Sequence, residues 1–93
     1  MIVIAMNSAP PAIRGELSRW FLEIKPNVFV GNVNVRIRDL LWERLCQSEK
    51  VPGAIMVYSC NTEQGYSIRT SGDTNKTIVD FDGIQLLATK QKV

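Results

Sequence analysis

Residues Ile2 to Met6 form an unbroken apolar run, IVIAM, rich in β-branched side chains. A strand with one wet face alternates polar and apolar positions, whereas a run without a polar position suits a strand covered on both faces. The run therefore predicts a strand in the middle of a sheet. It lacks a basic leader and is shorter than the roughly 7–15-residue apolar core of a signal peptide. No stretch approaches the ~20 apolar residues that span a bilayer, so a soluble protein is expected. Ninety-three residues allow one domain, 1–93, with a single core.

Pro10-Pro11 bars helix before it and presets a first helical turn. Ile13, Leu17, Trp20 or Phe21, and Ile24 then recur at helical spacing, so the first helix is expected to continue until Pro26 stops it. Asn27 to Val30 reads as a short strand and Gly31-Asn32 as a turn. Ile37, Leu40, Leu41 and Leu45 mark the apolar stripe of a second helix starting near Asn32 or Asn34, with Glu43 and Arg44 facing outward. Pro52-Gly53 ends that helix. Ala54 to Cys60 is an apolar strand, joined through Asn61-Thr62-Glu63-Gln64-Gly65 to an alternating strand from Tyr66 to Thr70, a hairpin. Ser71 to Thr77 reads as a polar loop. Asp82-Gly83, between Ile78–Phe81 and Ile84–Thr89, is a strong hairpin turn signal because both turn positions need positive φ.

This order predicts an α+β, ferredoxin-like sandwich: a mixed sheet with two helices on one face, plus a C-terminal hairpin or tail over residues 78–93. Two helices leave the opposite sheet face bare. An apolar face of that size points to self-association, and a homodimer is the simplest cover.

The formal charge of +2 and pI near 8.7 are mild for a domain that binds nucleic acid by its overall field, which usually exceeds a pI of about 9. Distribution matters more. The expected helices both open with arginine: Arg14 in the first turn of one, Arg36 and Arg38 within the first two turns of the other. A cation there opposes the helix dipole by about 0.3–1 kcal/mol. Free N–H groups beside guanidinium groups would, however, make a bidentate phosphate cradle. Such contacts grip the backbone of a duplex without reading bases, and they are salt-sensitive. The bland alternative is that these are solvated surface arginines.

With no histidine in the chain, His-based triads, His general bases and the common His-containing zinc sites are excluded. Cys46 and Cys60 show no CxxC spacing and are expected to be small buried hydrophobes, consistent with a reducing cytoplasm. Trp20 and Trp42 sit among apolar neighbours and are expected in the core or a dimer interface. Asp80 and Asp82 flank a tight turn, so turn chemistry accounts for them better than a metal cluster with Glu63. No catalytic and no metal-ligating residue is assigned.

Several runs together carry a resemblance: Ala9-Pro10-Pro11-Ala12-Ile13-Arg14-Gly15, Val28-Phe29-Val30-Gly31-Asn32-Val33, Ile37-Arg38-Asp39-Leu40-Leu41-Trp42-Glu43, Asn61-Thr62-Glu63-Gln64-Gly65-Tyr66 and Val79-Asp80-Phe81-Asp82-Gly83. In this order, over nearly the whole chain, they resemble the small CRISPR-associated adaptation protein of the I-E subtype, the ferredoxin-like partner of the CRISPR integrase. The resemblance implies a homodimer that bridges two integrase dimers while double-stranded DNA lies across the assembly, as part of adaptive defence against foreign nucleic acid. It adds Lys25 and Lys76 to Arg14, Arg36 and Arg38 as expected DNA contacts. It also implies that Glu63, Asp82, Ile84, Leu86 and Leu87 lie along the integrase, the last three by strand addition. From pattern alone, an ordinary edge hairpin finishing the protein's own sheet fits those strands equally well. The family's metal-dependent endoribonuclease activity needs an acid at the end of the first strand, where two subunits could hold Mg²⁺. Asn7 stands there, which counts against hydrolysis by that route. The alternatives are thus a Mg²⁺-dependent nuclease and a dimeric ferredoxin-like regulator with no CRISPR role.

Overall fold

The computed structural model describes residues 1–72, 76–81 and 84–89, with side chains over 1–72 and 85–87. The elements are β1 (Ile2–Met6), α1 (Pro11–Leu17), β2 (Phe21–Lys25), β3 (Val28–Gly31), α2 (Val35–Gln47), β4 (Gly53–Ser59), β5 (Tyr66–Gly72), β6 (Lys76–Phe81) and β7 (Ile84–Thr89). The first five strands form one sheet in the order β2-β3-β1-β4-β5, and β6 pairs with β7 in a second, two-stranded sheet. The apolar run is the centre of the large sheet, flanked by β3 and β4. Each of the two helical crossovers skips a strand, so parallel strands never become neighbours and the sheet is antiparallel throughout, not mixed as expected. This is the ferredoxin-like α+β arrangement with β5 added at one edge.

Strand alternation separates two faces. Ile2, Ile4 and Met6 of β1, Phe29 of β3, and Ala54 and Met56 of β4 are buried in one core with Leu17 of α1 and Leu41 and Leu45 of α2. The opposite face carries Val3, Ala5, Val28, Val30, Ile55 and Val57, all half-buried. Leu22, opposite Val30 on the edge strand β2, stands 69% exposed on that open face.

The first helix is far shorter than its spacing suggests. Ser18 returns both its N–H and its hydroxyl to the Arg14 carbonyl, and Arg19 and Trp20 donate to Glu16 and Leu17 three residues back. That tightening closes the helix at Leu17. Residues 21–25 become β2 instead, with Phe21 buried and Leu22 outward. Trp20 is exposed and outside the core, while Trp42 packs against the core residues. An edge strand that shows apolar residues outward hides its two-residue period behind a helical one. The β2–β3 turn is then made by Asn27 at φ 66, a conformation Asn tolerates.

Other expectations shift less. Leu40 is exposed, leaving Leu41 and Leu45 as the buried residues of α2. The expected polar loop from Ser71 is shorter, because β5 continues to Gly72 and β6 starts at Lys76. Gly72 has φ +70, and a Cβ on it would fall inside contact distance of the Pro52 carbonyl oxygen and 3.1 Å from the Gly53 Cα. Backbone cannot swing aside as a side chain can. Gly72→Ala is therefore expected to lower stability by more than the ~1–2 kcal/mol left-handed penalty alone, read as a fall in the urea midpoint; an unchanged midpoint would refute this strand end.

The second sheet is held to the first by a polar clasp. Gln85 of β7 donates its N–H to Gln64 Oε1 at 2.6 Å and accepts from the Tyr66 hydroxyl at 2.8 Å. Tyr66 pairs with Ser59 and so lies on the open face, which places the hairpin on that side of the β5 edge.

Candidate nucleic-acid interface

The central strand sorts the basic residues to opposite ends. At its Met6 end lie Asn7, the start of α1 and the β2–β3 turn; at its Ile2 end lie Gly31, Tyr58 and the approach to α2. Four steps along a strand separate these ends by roughly 14 Å. Arg14 and Lys25 therefore belong to one end, and Arg36 and Arg38 to the other. They do not form one shared cradle.

Arg14 is the fourth residue of a seven-residue helix and stands in its last turn, where a cation complements the dipole. The expected mismatch at that helix start is absent. Its Nε donates to Glu23 Oε2 at 3.2 Å and its Nη2 to Asn27 Oδ1 at 3.0 Å. The same Glu23 oxygen accepts the Asn27 N–H at 3.0 Å, and Asn27 Oδ1 also accepts the Ala9 N–H at 3.0 Å. One node thus ties the β1–α1 loop, α1 and the β2–β3 turn together. The Arg14 side chain remains 42% exposed. Lys25, nearby on β2, is exposed with no ion pair among the described residues.

At the other end, Asn34 caps α2 by accepting the Ile37 N–H at 2.9 Å, and the first turn holds no acid. Arg36 is exposed there and makes no hydrogen bond or ion pair among the described residues. Here the cation at a helix start is real. Arg38 differs: its guanidinium lies 4.0 Å from the centroid of the Tyr58 ring and donates to Asp39 at 3.0 Å, leaving its side chain 14% exposed. Arg69 of β5 approaches the same ring at 5.0 Å and the same carboxylate at 2.9 Å. Stacking and pairing give Arg38 a structural role, so it is not open to a phosphate in this arrangement.

Desolvation pushes the Asp39 carboxyl up, but hydrogen bonds and charge from Arg38 and Arg69 outweigh it and hold the group below its usual value. A depressed carboxylate stabilises the fold above its unfolded pKa and loses that contribution as pH falls through the folded one. Acid is accordingly expected to loosen this cluster only below about pH 4, measurable as a falling thermal midpoint. Neither cysteine is deeply buried, contrary to expectation: Cys46 is exposed, and Cys60 lies just past β4. The Cys60 thiol is pulled down by hydrogen bonds with Ser67 and Thr62 and by the charge of Arg38.

The remaining expected residues are spread out. Asn7 is exposed at the end of β1, its N–H donating to Gly53 at 3.0 Å. Glu63 is exposed in the β4–β5 loop. Asp82 and residues 90–93 lie outside the described residues, as does the Lys76 side chain, although its backbone opens β6. Ile84, Leu86 and Leu87 fall on β7, whose ladder is with β6 and not with the large sheet; Leu86 and Leu87 are exposed. Among the described residues no three His, Cys, Asp or Glu side chains group as metal ligands. Spacing along the chain does not single out Glu23, Asn27 or Arg69, which the fold brings into these clusters. Only the Pro26-Asn27 pair signals a turn that could gather the first two.

Over residues 1–86 the chain matches the family model described as CRISPR-associated protein (Cas_Cas2CT1978). The matched span holds both helices, the whole five-stranded sheet and the first residues of β7. Among the described residues no helix is long and apolar enough to cross a membrane.

Proposed function

Because the chain belongs to that CRISPR-associated family, we propose that it is a duplex-binding dimeric scaffold of I-E-type spacer acquisition, bridging integrase dimers in the cytoplasm. The observation that carries this reading is the one-sided sandwich. Helices cover one face of the sheet, while the other keeps half-buried aliphatic side chains from β1, β3 and β4, with Leu22 69% exposed at the β2 edge and Ile68 of β5 buried at the other side. An apolar face of that breadth is the ordinary mark of a protein interface. A second copy placed there doubles the basic ends, presenting Arg14, Lys25 and Arg36 twice to a symmetric duplex. The β6–β7 hairpin, beside the same face, is the segment offered to the integrase.

A salt titration tests the DNA contact. Arg36→Ala is expected to weaken binding of a short duplex and to lower the slope of log K against log salt by about 0.9 for each phosphate that is no longer neutralised. An unchanged slope would remove Arg36 from the interface. The nuclease reading requires a carboxylate at the end of β1, and Asn7 supplies an amide oxygen without charge. Purified protein is therefore expected not to cleave DNA or RNA with Mg²⁺; cleavage abolished by Asn7→Ala would replace the scaffold reading with the nuclease one.

A further inference from the structure

We propose that the Glu23 carboxylate is a built-in electrostatic brake on Arg14, holding its guanidinium in place in the free protein and lowering its affinity for a phosphate. The inference rests on the reading of Arg14 as a duplex contact. Arg14 uses Nε and one Nη2 hydrogen for Glu23 and Asn27, so one edge of the guanidinium is satisfied internally. The other edge, formed by Nη1 and the second Nη2 hydrogen, has no partner among the described residues, on a side chain that is 42% exposed. That edge has the fork geometry that matches two phosphate oxygens. A phosphate seated on it would not displace Glu23.

It would, however, sit across the guanidinium from a carboxylate, within about 7 Å of it. Two like charges at that distance in a water-like medium repel enough to lower affinity about threefold, and more where the site is partly shielded. The turn does not require the charge. Glu23 serves the β2–β3 turn by accepting the Asn27 N–H at 3.0 Å, which a neutral amide oxygen could also do. Asn27 holds Arg14 independently and is itself fixed by the Ala9 N–H. The carboxylate charge thus adds little that the local geometry lacks, while it subtracts from the cation beside the β1–α1 loop.

The test is binding of a fluorescent short duplex to the full chain at low salt, for Glu23→Gln, Arg14→Ala and both together, with Glu49→Gln as an exposed charge-removal control. Glu23→Gln is expected to tighten binding about three- to tenfold, the gain shrinking as salt rises. In the Arg14→Ala background it is expected to do no more than the control. If Arg14→Ala weakens binding but Glu23→Gln does not tighten it, the brake is refuted while the phosphate contact stands. A gain that persists without Arg14 refutes it equally, as a general charge effect. If Arg14→Ala leaves binding unchanged, the underlying reading fails and takes this one with it. Should Glu23→Gln fold poorly, Glu23→Met is read in its place by the same comparison, and an unchanged affinity with Arg14 present overturns the proposal.

Discussion

Phe29→Ala is expected to remove about 3–5 kcal/mol of stability, the cost of deleting a large aromatic side chain from a core that cannot collapse around it. Phe29 is 0% exposed at the centre of β3, level with Ile4 of β1 and Glu23 of β2, beneath both helices. It is the only large residue that β3 contributes to this face, since Val28 and Val30 point the other way. Domains of this size hold about 5–15 kcal/mol in all, so a large share of the stability would go. Urea unfolding should show a lower midpoint with an unchanged slope. A fall below about 1 kcal/mol would mean that the core is centred elsewhere. Function should decline with it, because β3 joins the Asn27 turn at one end to the start of α2 at the other.

Leu22→Glu should leave the single chain folded and abolish the proposed dimer. At 69% exposure the substituted side chain stays in water in one copy, so unfolding should barely move. Against a second copy the carboxylate would be buried without a partner, a penalty of several kcal/mol per ion. Two-fold symmetry applies it twice. A rise in the dimer dissociation constant of about a thousandfold or more is expected, seen by light scattering as monomer mass for the variant beside the dimer mass expected of the unaltered protein. Duplex binding should weaken in parallel, since each monomer offers only half the contacts. A dimer that survives would place the interface away from this face and remove the observation on which the scaffold reading depends.

Much of the framework is written locally. The β-branched run marks the central strand, Pro10-Pro11 sets the start of α1, Asn34 sets that of α2, and Pro52 stands just before β4, although α2 already ends at Gln47 and not at the expected Pro52-Gly53. Each rests on a constraint within a few residues: no polar position to face water, a fixed φ, or a side chain that caps an N–H. The stretch from Ser18 to Lys25 escapes that logic. Trp20, Phe21 and Ile24 satisfy a helical period, yet only hydrogen bonding to β3 decides that Phe21 turns inward and Leu22 outward.

The same division runs through the site. Sequence alone determined that this chain has no histidine, that Asn7, an amide, follows the central strand, and that Arg36 stands close behind Asn34, the cap of the second helix. Tertiary structure alone decided which arginines remain available, because an arginine's charge is taken up by whatever carboxylate or ring the fold brings to it from far along the chain. Glu23 and Asn27 reach Arg14 only once the β2–β3 turn exists, and Arg69 and Tyr58 surround Arg38 only once β4 and β5 pair. Local spacing sets backbone shape through forces that act over a few residues, whereas electrostatic partnership depends on distances in space.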